Sequence, residues 1–167
     1  MIAKILDNYV IEDSTTRILR LEIPEDVEYK INPGAGANLV LNGIERPFSF
    51  ASSTEWLFYI REVEDGKFNK ELAKMPDEIE VKSFFYYFAI DVNSPSYYFA
   101  TGTGIAPFIT ALEANEEWGN RPYRLFYGAQ TKADLIKLGW LSRKVNTTAV
   151  LSQEINGCSH GHITEYI

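Results

Sequence analysis

The chain has 167 residues, 46% of them hydrophobic and 14% aromatic, which excludes a disordered protein and supplies enough apolar side chains for a real core. Its formal net charge of −7 argues against a general nucleic-acid binder and against a basic protein of membrane surfaces. The single cysteine, Cys158, excludes an internal disulfide and an iron–sulfur cluster with four cysteine ligands from this chain.

The N-terminus is predicted to be neither a signal peptide nor a membrane span, because Asp7 and Asn8 follow a short apolar start. The longest aromatic run, residues 84–90, is too short to cross a bilayer. We therefore expect a cytoplasmic protein whose partners include neither nucleic acid nor membrane.

The first half of the chain has the pattern of short strands. Residues 16–23 alternate apolar and charged side chains with a period close to two. Further strands are predicted within 31–43, 45–53, 55–63 and 78–84, with a short helix within 65–75. Several short strands at this spacing favour an antiparallel Greek-key barrel of about six strands.

Near residues 91–94 the pattern changes to strands that alternate with helices. Strands are predicted at 96–100, 123–129 and 147–153, helices at 105–118 and 132–141, and one or two helical turns at 161–167. Such alternation indicates βαβ units and a parallel sheet. We therefore predict two domains, a barrel over residues 1–93 and an α/β domain over residues 94–167.

A glycine–threonine turn joins the first strand of the predicted α/β domain to its first helix. Gly102 and Gly104 alternate with Thr101 and Thr103, and Pro107 fits the first turn of the helix that follows. Unpaired N–H groups at a helix start attract phosphate. The alternative is a strand-to-helix turn that binds nothing.

Seven segments in order resemble the ferredoxin–NADP reductase family of flavoproteins across nearly the whole chain. They lie at residues 32–34, 46–49, 65–72, 102–108, 126–135, 151–154 and 161–167. The resemblance implies a flavin-binding barrel followed by a nucleotide-binding α/β domain.

In that family the segment that matches residues 46–49 holds the flavin. The resemblance implies that Arg46 forms a charge-assisted fork to the flavin phosphate, with Pro47 beside it, and that Phe48 stacks on the isoalloxazine ring. The resemblance also implies that Ser49, the candidate catalytic residue, forms a hydrogen bond with flavin N5 through its hydroxyl. Alternatively, Phe48 is a barrel residue and Arg46 lies in solvent.

The segment with Lys67, Phe68 and Asn69 matches the family segment whose backbone amides hold the flavin phosphates. Asn69 stands where the family usually has a Ser or Thr, and its side-chain amide is expected to donate instead. The same asparagine is also a candidate helix N-cap.

The resemblance implies that the glycine–threonine turn receives the pyridine nucleotide. Thr101 and Thr103 would supply hydroxyls, and Gly102 and Gly104 the close approach. Family members that prefer NADPH carry arginines where this chain has Gln130 and Gln153, which favours NADH over NADPH.

The chain also departs from the family, since it stops at Ile167 before a further helix, a further strand and a C-G-x-P-x-M motif. This predicts a shortened second domain whose sheet edge is covered in a homodimer or by a partner subunit. Cys158, His160 and His162 occupy alternate positions that could ligate a metal, but a glycine-flanked loop without metal is favoured.

The predicted function is a flavin-dependent oxidoreductase with FAD, or alternatively FMN, as cofactor. It would pass hydride between NADH or NADPH and the flavin, and electrons on to ferredoxin, flavodoxin or another redox protein. An acidic ferredoxin requires a basic face, for which Lys67, Lys70, Lys74 and Lys82 are the candidates. The competing hypotheses are a degenerate member that binds without turnover and an electron-transfer subunit completed by another chain.

Overall fold

The computed structural model describes residues 1–86, 97–114, 124–154 and 158–166. Its N-terminal part is an antiparallel sheet with the strand order β4-β3-β6-β1-β2-β5. The strands are β1 (Ile2–Val10), β2 (Thr16–Leu21), β3 (Ala35–Leu41), β4 (Ile44–Ser49), β5 (Trp56–Arg61) and β6 (Glu78–Tyr86), with helix α1 (Lys67–Leu72) after β5. A bridge between Phe50 and Phe58 joins the two ends of the sheet. The predicted six-stranded barrel is thereby confirmed.

Strand β1 was not predicted, because its inward side chains are not all apolar. Asn8 is only 7% exposed, and its Oδ1 accepts a hydrogen bond of 2.6 Å from Nη1 of the buried Arg17. A register shift between Ile5 and Asp7 also interrupts the period-two pattern. Polar partners inside the barrel replace the apolar contacts from which a strand is recognised in a sequence.

The same polar residues attach helix α1 to the barrel. Arg17 Nε donates to Glu62 Oε1 at 2.6 Å, and Asn69 Nδ2 donates to the same oxygen at 3.0 Å. Asn8 Nδ2 donates to the carbonyl of Leu72, the last residue of the helix, at 2.8 Å. Burial favours the neutral form of Glu62, but the bonds from Arg17 and Asn69 outweigh it and lower the pKa of this carboxyl.

The C-terminal part is a parallel sheet with the order β10-β9-β8-β7. Its elements are β7 (Tyr97–Thr101), α2 (Ala106–Ala114), β8 (Arg124–Ala129), α3 (Leu138–Lys144), β9 (Asn146–Leu151) and β10 (Ser159–His160), with 3₁₀ turns at Gly102–Ile105, Lys132–Asp134 and Ile163–Tyr166. The predicted parallel sheet and its three longer strands are confirmed. The short β10 falls where a loop was favoured.

One of the two helix predictions in this part needs correction. The helix predicted at 132–141 is wrong in its first half, because Lys137 adopts a left-handed φ of 54° and α3 begins only after it. The helix predicted at 105–118 is confirmed as α2 over Ala106–Ala114, directly after a 3₁₀ turn that ends at Ile105, and its residues 115–118 lie outside the described residues. The predicted domain boundary at residues 93 and 94 also lies outside them.

A buried carboxylate joins the α/β part to the barrel. Asp134 is 3% exposed, and its Oδ1 accepts hydrogen bonds from Ser14 Oγ (2.8 Å), the Thr15 backbone N–H (2.7 Å) and Thr15 Oγ1 (3.0 Å). Its Oδ2 accepts a fourth bond from Thr131 Oγ1 at 2.9 Å. Burial alone would raise the pKa of Asp134, but these four bonds favour the ionised form and lower it.

Helix α2 makes the second set of contacts between the two parts. The buried Thr110 donates its hydroxyl to the carbonyl of Phe50 at 2.6 Å, and Glu113 accepts a bond of 2.9 Å from the Ser53 backbone N–H. The barrel residues Ala51 and Tyr59 belong to the same apolar cluster as the α/β core. The two parts therefore share a continuous hydrophobic interface. Within the described residues, no helix combines the length and the apolar character needed to span a membrane.

Replacement of Asp134 by asparagine tests the ionic part of this contact. Hydrogen bonds to charged groups contribute about 1.5–3 kcal/mol and neutral ones about 0.5–1.5 kcal/mol, so we expect Asp134→Asn to lower the free energy of unfolding at pH 7 by about 1–2 kcal/mol. Because the folded-state pKa is lowered, the contribution of the carboxylate is complete above its ordinary pKa of 3.8 and is lost as the pH falls through the folded-state pKa. Urea unfolding of both proteins at pH 7 and pH 3 measures the difference, which should shrink at the lower pH. A difference independent of pH would contradict the ionic contribution.

Candidate functional site

A cavity of about 380 Å³ lies at the carboxyl ends of the parallel strands, where ligands bind in open α/β sheets. Both parts of the chain form its walls. The barrel contributes Thr15, Thr16 and Arg61, and the α/β part contributes Thr101, Gly102, Thr103, Gly128, Ala129, Gln130, Asp134, Val150, Ser152, Gly161, His162, Ile163 and Thr164. Its volume lies in the range of small-molecule sites.

The glycine–threonine turn supplies one wall of this cavity. Thr101, Gly102 and Thr103 line it, whereas Gly104 is exposed and does not. Gly102 has a φ of 49°, and a Cβ placed on either glycine would meet no other atom within 4 Å. Glycine at position 102 therefore allows the positive φ that the turn requires, and its lack of a side chain leaves the space beside the turn open. Of the four predicted turn residues, the structure brings three to the cavity.

The wall at the end of β8 contains one of the two glutamines singled out in the sequence. Gln130 lines the cavity, whereas Gln153 contributes a backbone N–H to the Gln130 carbonyl at 3.0 Å and is not part of the wall. A Cβ on Gly128 would lie 2.6 Å from Ile163 Cγ2. The absence of a side chain at Gly128 thus allows the 3₁₀ turn at Ile163–Tyr166 to close this side of the cavity.

The barrel wall contains residues that the sequence analysis missed. Arg61 is the last residue of β5, lies opposite Thr16 in the antiparallel pair, and is exposed. The only sequence signal was a basic residue at the end of a predicted strand, which carries no information until the strand is placed next to the other part of the chain. Asp134 also lines the cavity, but its carboxylate already accepts four hydrogen bonds.

The candidate flavin motif of strand β4 lies outside the cavity wall and next to α1. Arg46 is exposed, and its Nη1 donates to the carbonyl of Glu45 at 2.7 Å. Pro47 is exposed, whereas Phe48 and Ser49 are half-buried. The ring centroid of Phe48 lies 5.2 Å from that of Phe68 in α1, so the two predicted flavin segments do come together.

Helix α1 alters two expectations for its residues. Lys67 is exposed, but the side chain of Phe68 is buried in the barrel core, so only its backbone can reach a ligand. The prediction of Asn69 as the N-cap is wrong, because the helix begins at Lys67 and Gly66 occupies the cap position. Both amide hydrogens of Asn69 are engaged, by the Arg61 carbonyl and by Glu62 Oε1, each at 3.0 Å. Its side chain is therefore a support of the barrel and does not donate to a phosphate in this conformation.

Carboxylates neutralise the charge of most of the lysines that were considered as a basic face. Ion pairs join Lys70 to Asp65, Lys74 to Glu71 and Lys82 to Glu45, and Lys67 has no such pair with a described residue. A concentrated positive face does not result from these four residues.

The alternating cysteine and histidines do not form a metal centre in the part of the chain that the structure describes. His162 lines the cavity, whereas His160 Nδ1 lies 3.3 Å from the carbonyl of Glu154. Across the described ranges, no group of three or more His, Cys, Asp or Glu side chains is placed to hold a metal ion.

Sequence comparison identifies relatives among the reductases of oxygenase systems. The propane 2-monooxygenase reductase component of Mycolicibacterium goodii is 33% identical over 132 residues, which cover 72% of this chain and 38% of that protein. The toluate 1,2-dioxygenase electron transfer component of Pseudomonas putida is 31% identical over 152 residues, 81% of this chain and 45% of that protein. The chain thus spans less than half the length of these relatives. No protein-family model matches the sequence.

Solved structures support the same fold over almost the whole chain. A ferredoxin NADP⁺ reductase from Neisseria gonorrhoeae, with bound FAD and NADP, superposes with a TM-score of 0.82 at 20% identity, covering 99% of this chain and 74% of that one. The ferredoxin reductase in carbazole 1,9a-dioxygenase superposes with a TM-score of 0.74 at 19% identity, covering 99% and 55%. From its sequence relatives and from the barrel joined to a parallel sheet, the chain belongs to the ferredoxin–NADP reductase-like family.

Proposed function

We propose that this chain is a flavin-dependent oxidoreductase that takes a hydride from a reduced nicotinamide dinucleotide and passes electrons to a redox acceptor. The observation that carries the proposal is the cavity between the barrel and the carboxyl ends of the parallel strands, in a chain whose barrel holds residues 46–49 beside α1. The names of the relatives, reductase and electron transfer components, support the same chemistry.

The barrel residues fit a flavin phosphate. The exposed guanidinium of Arg46 bonds only to a neighbouring carbonyl among the described residues and can form a fork to phosphate. The backbone amides of Lys67, Phe68 and Asn69 precede the first intrahelical bond, from the Lys70 N–H to the Gly66 carbonyl at 3.0 Å. We propose FAD as the cofactor, as in the Neisseria reductase, with FMN as the alternative.

When bound, the flavin supplies the redox chemistry, because it exchanges a hydride with nicotinamide and releases electrons one at a time. The residues of the chain bind and orient the reactants. Phe48 offers an aromatic ring, and the half-buried Ser49 offers a hydroxyl, which we assign as a hydrogen-bond partner of the flavin. No side-chain acid, base or nucleophile is required for the transfer.

We propose that the cavity receives the nicotinamide dinucleotide, with the hydroxyls of Thr101 and Thr103 and the open space at Gly102 on one wall. NADH is the preferred form, because the neutral Gln130 lies at the end of β8, and an amide does not neutralise the additional phosphate of NADPH. Gln153 does not contribute to this preference, since it is absent from the cavity wall.

The electron acceptor is proposed to be a ferredoxin, a flavodoxin or an oxygenase component. The sequence relatives named for monooxygenases and dioxygenases favour an oxygenase system. The ion-paired lysines 70, 74 and 82 do not favour an acidic ferredoxin on that face. We also propose that the chain forms a homodimer or binds a partner subunit, and that it is cytoplasmic. A binder without turnover is the second candidate, since the amide of Asn69 is engaged within the barrel and Phe48 carries no phenolic hydroxyl.

The visible absorption spectrum of the purified chain, reconstituted with FAD or FMN, tests the proposed function. We expect flavin bands that bleach on anaerobic addition of NADH, and bleach more slowly with NADPH. Bands that persist with both nucleotides would favour the binder without turnover. A protein that takes up neither flavin would contradict the proposal, and faster bleaching by NADPH would contradict the role of Gln130.

Replacement of Arg46 by glutamine tests the flavin site. Loss of a charge-assisted bond to phosphate should weaken flavin binding by about tenfold or more, measured as the quenching of flavin fluorescence on titration with apoprotein. Arg124→Gln is the matched control, because it removes the same charge from β8 and its guanidinium lies over Phe126, 5.9 Å from the ring centroid. Equal flavin affinity in the two variants would exclude Arg46 from the site.

A further inference from the structure

We propose that Glu62 is a positioning residue for the flavin, because it fixes helix α1 against the barrel and α1 in turn supports the ring of Phe48. The inference rests on the proposed function, since it takes Phe48 as a flavin contact. Glu62 itself touches no reactant and acts only through the helix.

Glu62 joins two strands of the barrel to helix α1. It directly follows the last residue of β5, and its backbone N–H donates to the Thr15 carbonyl at 2.7 Å. Its Oε1 accepts one bond from Arg17 Nε of β2 at 2.6 Å and another from Asn69 Nδ2 of α1 at 3.0 Å. A single carboxylate oxygen therefore connects the sheet to the helix.

The buried charge of Arg17 makes this carboxylate difficult to replace. The side chain of Arg17 is only 7% exposed, and its Nη1 donates to Oδ1 of the buried Asn8 at 2.6 Å. Asn8 carries no charge, so Glu62 is the only carboxylate that pairs with Arg17 among the described residues. A buried charge that loses its partner is strongly destabilising. Removal of the Glu62 carboxylate should therefore displace the groups that are bonded to it.

The polar network holds α1 at both ends. At its start, Asn69 Nδ2 also donates to the Arg61 carbonyl at 3.0 Å, so both hydrogens of this amide are engaged. Gly66 leaves room for the same side chain, because a Cβ on Gly66 would lie 2.6 Å from Asn69 Oδ1. At the end of the helix, Asn8 Nδ2 donates to the Leu72 carbonyl at 2.8 Å. The position of α1 on the barrel is thus set by directional bonds as well as by apolar packing.

Helix α1 in turn determines where the ring of Phe48 lies. Phe68, the neighbour of Asn69 in the helix, is 3% exposed, and its ring centroid lies 5.2 Å from that of the half-buried Phe48. The residue opposite Phe48 on β3 is Ala37, whose side chain ends at Cβ. A shift of α1 would therefore move the aromatic ring on which Phe48 packs.

Titration of FAD with apoprotein, followed by the quenching of flavin fluorescence, tests the proposal. We expect Glu62→Ala to weaken FAD binding by about tenfold or more, and Glu62→Gln to weaken it less, since glutamine keeps an oxygen that can accept both bonds. Glu55→Ala is the matched control, because it removes the carboxylate that pairs with the other arginine of β2, Arg20, at 3.3 Å. This control should bind FAD as the wild type does.

Two further readouts separate positioning from a mere loss of stability, in variants first shown to be folded by far-ultraviolet circular dichroism. Because Glu62 acts through α1, the effect of Glu62→Ala on FAD affinity should be smaller in the Asn69→Ala background than in the wild type. At saturating FAD, the visible circular dichroism of the bound flavin should also change in Glu62→Ala, since the flavin ring and Phe48 then pack differently.

Equal FAD affinity in Glu62→Ala and the wild type would overturn the proposal, and so would equal weakening in Glu55→Ala. Tighter binding by Glu62→Ala would also overturn it, because Glu62 would then withhold the Asn69 amide from the flavin. Fully additive effects of the two substitutions, or an unchanged flavin spectrum, would exclude action through α1. A wild type that binds no flavin would overturn this inference and the proposed function together, whereas flavin that is bound but bleached by neither nucleotide would contradict the proposed function alone.

Discussion

The buried carboxylate of Asp134 is the contact on which the arrangement of the molecule depends. It accepts bonds from Ser14 and Thr15 of the barrel and from Thr131 of its own part, and it stands in the wall of the cavity. A buried charge is costly unless it is satisfied, so this group holds the barrel turn against the α/β part, beside the contacts of α2 and the shared apolar cluster. The shape of the cavity depends on the position of the barrel relative to the α/β part, because Arg61 lies in the barrel and the glycine–threonine turn in the α/β part.

Much of the fold could be predicted because its strands follow simple patterns. The alternation of apolar and charged side chains in residues 16–23 predicted a strand of the barrel. The change near residue 94 to strands that alternate with helices predicted the parallel sheet. Two elements were not predicted correctly, and both depend on polar residues. Strand β1 carries the inward Asn8, whose partner Arg17 is unknown until the strands are paired. The helix predicted at residue 132 begins late because Lys137 takes a left-handed conformation beyond a 3₁₀ turn.

The candidate site was predictable where a short motif carries its own geometry. The residues from Thr101 to Thr103 reach the cavity, and Phe48 packs against Phe68 of α1, which brings the two candidate flavin segments together. Asn69 was misassigned because its partners, the carbonyl of Arg61 and the carboxylate of Glu62, depend on how a strand and a helix pack together. Arg61 was missed for a related reason: an arginine at the end of a strand can be assigned to a cavity only when the opposite wall of that cavity is known.

We propose that the Asp134 contact sets the distance and orientation between a dinucleotide in the cavity and a flavin on the barrel. The most direct test is the rate of anaerobic flavin reduction by NADH in Asp134→Ala and in the wild type, each first shown to be folded and to bind flavin equally. We expect reduction in Asp134→Ala to be slower by about tenfold or more, since a small misplacement of the reactants lowers the rate by a large factor. Reduction at the wild-type rate, with equal flavin content, would contradict it.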